Sequence, residues 1–110
     1  MTKPNRPGAL RVRLVLEQAL QIPDEAGGFT ENWIFVAGLF AAVEPALARD
    51  RYGAGQTLED VTHQITIRYR DDIASGMRLI RDARAFMILT VHDPDETGRF
   101  LVIRAREQGR

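Results

Sequence analysis

Three strand-like stretches of this chain each carry a pair of arginines at i, i+2 spacing: Arg11 with Arg13, Arg68 with Arg70, and Arg104 with Arg106. On an extended backbone that spacing puts both members of a pair on one side of the strand. Six guanidinium groups on sheet faces, with Phe29, Tyr52 or Tyr69 to stack on bases, could follow a single-stranded nucleic acid. The charge balance argues against that use. Fifteen basic and fifteen acidic residues cancel, so no net field draws in a polyanion or an acidic membrane. With Glu17, Glu107 and several aspartates nearby, the pairs are better explained as solvated faces of a β domain.

His63 and His92 are the only histidines, and His92 opens an acidic turn with Asp93, Asp95 and Glu96. Imidazole with carboxylates suits zinc or iron. Yet His63 sits mid-strand with no ligand partner at i+2, and the turn lacks the spacing and distal Glu of a calcium loop. Ser75-Gly76 is not framed as a nucleophile elbow. Gly27-Gly28 and Gly53-x-Gly55 lack the Gly-Lys-Ser/Thr ending of a phosphate loop. Asp71 and Asp72 are adjacent in a turn, where solvation explains them better than acid–base work. With no cysteine there is no thiolate ligand, thiol nucleophile or disulfide. The reading is a non-enzyme with no catalytic, cofactor or metal residues.

The elements that carry these side chains read as β-strands. Val61, His63, Ile65, Ile67 and Tyr69 alternate with Thr62, Gln64, Thr66, Arg68 and Arg70, the period of a half-buried strand with a wet outer face. Leu10, Val12, Leu14 and Leu16 alternate likewise with Arg11, Arg13, Val15 and Glu17. Ile22 to Thr30, with Pro23-Asp24-Glu25 and Gly27-Gly28, reads as a turning loop. A second strand from Glu31 to Ala42 is apolar on both parities, with Trp33, Phe35 and Ala37 against Ile34, Val36 and Phe40. Either both its faces are covered, or one packs against another copy of the protein. Pro45 ends it. Met77–Arg81, Arg84–Val91 and Arg99–Arg106 complete six strands, with a tip at Asp82-Ala83 and a turn at Asp93–Gly98.

Short strands between regular turn signals predict a mainly β fold, a small antiparallel barrel or sandwich of about six strands. Residues 1–9 read as a flexible arm, and residues 10–110 as one β-barrel domain. No apolar run is long enough to span a bilayer as a helix, and a soluble cytoplasmic product is expected. The expected core is Leu14, Leu16, Trp33, Ile65, Ile67, Phe86, Ile88 and Ile103. Ala46 to Asp60, a short helix or long loop between strands two and three, is the one long connection. Its Arg49, Asp50, Arg51 and Tyr52 suit a directed contact, Gly53 and Gly55 a hinge, and the stretch through Gln56 is the candidate functional loop.

Taken in order, the pieces resemble a known family. They are Arg11-Val-Arg-Leu-Val-Leu-Glu17, Gly27-Gly-Phe-Thr-Glu-Asn-Trp33, Phe40-Ala-Ala-Val-Glu-Pro45, Val61 to Arg70, Gly76-Met-Arg78, Arg84-Ala-Phe-Met-Ile88 and Asp93-Pro-Asp-Glu96. The set resembles the head–tail joining (head-closure or stopper) proteins of long-tailed phages and gene transfer agents, from about Leu10 to Glu107. Relatives often carry glycine at the tip where Asp82-Ala83 stands. The resemblance implies a structural virion protein in the head–tail connector, assembled in the bacterial cytoplasm, whose copies form a ring of twelve. It implies an adaptor ring on the portal side, tail terminator or tail-tube proteins on the other, and DNA passing through without sequence-specific binding. The Ala46 to Asp60 connection is less like its relatives than the strands are; from its length and its mixed-charge, aromatic stretch Arg49–Gln56, this segment is expected to face the ring channel or a neighbouring ring. A single-strand-binding barrel and an unrelated protein-interaction module are the alternatives.

Overall fold

The structure, a computed structural model, describes residues 10–46 and 61–108. Six strands occur among them: β1 Val12–Pro23, β2 Phe29–Pro45, β3 His63–Arg68, β4 Arg78–Arg81, β5 Arg84–His92 and β6 Phe100–Gln108. All neighbours pair antiparallel in the order β1-β2-β3-β6-β5-β4, and β4 returns to β1, so the sheet closes into a barrel. No described residue is helical.

Period-2 patterning decides which side chains fill the barrel. Leu14, Leu16, Ile65, Ile67, Leu79, Phe86, Ile88 and Ile103 are all essentially inaccessible and form one cluster with Leu39, Ala41 and Ala105. A barrel of six strands is narrower than the eight-stranded kind that side chains just fill. Its interior is therefore packed core and offers no passage. Trp33, expected in that core, is only half-buried. It lies beyond the last barrel pairing of β2, outside the closed sheet. Thr66 departs in the other direction, since its outward-facing side chain is buried and its Oγ1 has no hydrogen-bond partner.

One end of the barrel is clasped by polar groups. Arg84 Nε and Nη2 donate to the Glu107 carboxylate at 2.8 and 3.0 Å, and the same guanidinium lies 5.0 Å from the centre of the Phe86 ring. His63 meets Phe86 edge-on at 5.0 Å, and its Nδ1 is 2.9 Å from Thr62 Oγ1. Burial, the leading influence, holds the His63 pKa below its ordinary value; Glu107 opposes this and Arg84 adds to it. In the unfolded chain His63 titrates near the ordinary histidine value of 6.5, so below that pH the unfolded state binds more protons. Stability is then fully present above about pH 6.5 and declines as pH falls through the window beneath it. Thermal unfolding between pH 7.5 and 5, above the carboxylate range, should show this decline. His92, whose pKa burial also lowers, adds to it in the same direction, so His63→Gln should reduce the slope and His63→Gln with His92→Gln should flatten it.

The turns use what the sequence supplies. Asp82 takes the left-handed conformation (φ 52°), which lets a two-residue turn join Arg81 to Arg84 without glycine. In the acidic turn, Asp93 Oδ2 accepts from Gly98 N–H at 2.7 Å and Asp95 Oδ1 from Thr97 Oγ1–H at 2.8 Å. These carboxylates hold the backbone of their own turn.

Candidate functional site

β1 and β2 outrun the barrel. β4 pairs with β1 only at Val15, Leu16 and Glu17, while β3 pairs with β2 only from Ala41 to Pro45. From Glu17↔Phe35 to Pro23↔Phe29 the two strands therefore continue as a two-stranded arm. The stretch expected to be a loop, Ile22 to Thr30, is strand at both ends (Ile22, Pro23, Phe29 and Thr30), and the turn contracts to Asp24–Gly28. Asp24 makes that possible. Its Oδ1 accepts from Ala26 N–H at 2.9 Å and Gly28 N–H at 2.8 Å, and its own N–H donates to Gly28 O at 2.9 Å. Gly27 adopts φ 87°, a conformation that glycine adopts without steric cost.

The arm leaves the barrel at an irregularity. Leu16 pairs with Ala37 and Glu17 with Phe35, leaving Val36 unmatched as a bulge on β2. A bulge bends its strand and sharpens the local twist, so it re-aims the arm at its root. Just outside it, Arg78 Nε donates to Glu17 Oε1 at 2.8 Å, and the Arg78 guanidinium lies 4.2 Å from the centre of the Trp33 ring. Trp33 thus braces the root of the arm.

Paired residues share a face, so the arm has two. One carries Leu20, Ile22 and Ile34; the other carries Phe29, Trp33 and Phe35. Five of these are widely exposed: Leu20 at 49%, Ile22 at 38%, Ile34 at 44%, Phe29 at 64% and Phe35 at 68%. A lone two-stranded ribbon is marginal in water, and a contiguous exposed apolar surface marks an interaction site. The arm also carries Asp24, Glu25 and Glu31 and no basic residue between Gln18 and Ile34. Carboxylates repel phosphate, so this surface suits protein and not nucleic acid.

A second feature lies where β2 parts from β3. β3 ends at Arg68, so β2 has no β3 partner before Ala41. An open groove of about 500 Å³ occupies that space, lined by Leu10, Gly38, Leu39, Phe40 and Arg68–Arg70. Phe40 is 56% exposed and Tyr69 is 49% exposed at this groove.

The arginine pairs do not unite into one basic track. Arg70 Nε and Nη2 each donate to the Asp72 carboxylate at 2.8 Å, holding that acid below its usual range. Arg104 Nη1 approaches His92 Nδ1 at 3.5 Å, and the His92 pKa is lowered first by burial and then by Arg104. The loop candidates Arg49, Asp50, Arg51, Tyr52, Gly53, Gly55 and Gln56 lie outside the described residues. Sequence reasoning missed the arm as an element, but its signal was present: β2 is apolar on both parities, and Leu20 and Ile22 flank Gln21 in the same alternation.

Comparison with known proteins bears on this arrangement. The sequence profile of the phage head completion proteins matches residues 6–108. A chain in the virion of a native gene transfer agent particle is similar, with 28% identity and a TM-score of 0.64 over 96% of this chain and 94% of that one. Protein SF1141 from Shigella flexneri 2a, known from a solution structure, shares 26% identity with a TM-score of 0.73, over 96% and 98%. No curated protein sequence matches the chain.

Proposed function

The chain belongs to the phage head completion protein family, and from that premise we propose that its copies close the DNA-filled head as a ring in the head–tail connector and present the surface on which the tail docks. A structural head-completion role and a place in a phage or gene-transfer-agent particle come with the family, as does contact with other particle proteins. The ring, the adaptor on its portal side, the tail proteins on the other and assembly in the bacterial cytoplasm are the finer reading.

The exposed apolar arm carries that reading. A monomer has no use for a ribbon with bare phenylalanines on one face and bare aliphatics on the other, whereas a subunit between neighbours buries both. The filled barrel supports it too. DNA cannot thread a packed core, so any channel has to run between subunits, and several copies must surround it.

The test is a particle preparation from cells lacking the protein, imaged beside the complemented strain. DNA-filled heads that leak, with finished tails lying apart, are expected. Heads and tails joined normally in its absence would overturn the assignment.

A further inference from the structure

We propose that the tip of the arm of one subunit seats in the groove at Phe40 and Tyr69 of the next copy, and that this is the repeating contact of the assembly. The inference rests on the ring reading above and names the contact that builds it.

Geometry makes the contact intermolecular. Leu10 lines the groove just before β1 begins, and Pro23 ends β1 at the arm tip. Twelve residues of strand lie between, about 36 Å at the usual rise per residue. β1 stays paired with β2 throughout, so the tip cannot fold back into its own groove. One end of a subunit must meet the other end of a second, the heterologous arrangement that rings require.

Charge and shape select the occupant. Phe29 and Glu31 are two residues apart on one strand and so project from the same face of the tip. Across the groove, Arg13 pairs in register with Phe40 on β2, and Arg68 ends β3 beside it. Arg13, Phe40 and Arg68 are all exposed, an aromatic between two cations. Among the described residues no ion pair engages Arg13 or Arg68. An acidic, aromatic tip complements that row in both charge and apolar character. The N-terminal nine residues lead directly to Leu10, but they carry Lys3 and Arg6 and no acid, so they are repelled by the same row.

The chain has no cysteine, so introduced thiols are the only ones in the protein. Phe29→Cys with Tyr69→Cys in one chain, expressed in place of the native protein, should give particles that yield a ladder of dimer, trimer and higher multimers on oxidation. Each single variant and a control pair of Phe29→Cys with Asp82→Cys should not ladder. Separately, Glu31→Arg and Arg68→Glu should each lower infectious or gene-transfer titre at least about ten-fold, and their combination should restore it. Particles that contain the Phe29/Tyr69 double variant, carry tails and give no ladder overturn the arm-in-groove contact while leaving the ring reading intact. A Phe29→Cys chain cross-linked to a different polypeptide also overturns it, as does a double charge reversal that fails to restore titre. Native protein missing from finished particles removes the ring reading and this contact with it.

Discussion

Phe86→Ala should lower the stability of the barrel by about 3–5 kcal/mol, the range for removing a fully buried aromatic. Phe86 is inaccessible inside the barrel beneath the Arg84–Glu107 clasp, His63 packs edge-on against its ring, and the Arg84 guanidinium lies over it. Truncation leaves a cavity in a narrow barrel whose walls are hydrogen-bonded all round and cannot collapse far. It also strips the apolar floor from beneath the Arg84–Glu107 clasp. Trp33→Ala gives the contrast. Trp33 is half-buried outside the closed sheet, and losing its contact with Arg78 costs about 0.5–1 kcal/mol for an exposed cation–π pair, plus a fraction of its burial. Chemical denaturation of the two variants should place Phe86→Ala well below Trp33→Ala. Equal losses would mean that the root of the arm is as much a part of the core as the barrel interior.

That contrast shows what the sequence could and could not convey. The parity of Leu14 and Leu16, of Ile65 and Ile67, and of Phe86 and Ile88 was legible, because period 2 maps directly onto inside and outside once a sheet is closed. Trp33 was misplaced for a reason that no residue count reveals. Whether a large apolar side chain is covered depends on where the neighbouring strands stop, and β4 stops at Glu17 while β3 starts pairing at Ala41. The Val36 bulge was invisible for a related reason, since an extra residue in one strand is defined only against its partner. The arm was hidden by its own turn. Pro23, Asp24, Gly27 and Gly28 are turn formers, and their density made the flanking strand ends look like loop. Apolar residues on both parities of β2 did signal a strand with two apolar faces, and in the single chain Ile34 on one and Phe35 on the other are exposed. What they could not give was the strand's length beyond the barrel, or the acidic bias that turns an apolar ribbon into a directional contact.

Removing the arm should separate folding from assembly. Glu17 and Phe35 face each other across β1 and β2, so replacing Gln18–Ile34 with Asn-Gly sets a two-residue turn between an existing pair, the connection that matches strand twist best. Every residue of the core cluster lies outside the deleted segment, and the Arg78–Glu17 pair remains. The shortened chain should keep its β-sheet circular dichroism and a cooperative thermal transition within a few degrees of the parent. It should be more soluble, because four exposed apolar side chains, Leu20, Ile22, Phe29 and Ile34, go with the arm. Particle titre should nevertheless fall to the level of the strain lacking the protein, since each subunit loses the surface that reaches its neighbour. Two results would defeat this reasoning. An unfolded product would make the arm an integral part of the barrel. A folded product with normal titre would show that a ribbon bare on both faces is not what joins the subunits, and assembly would have to be sought on the barrel wall.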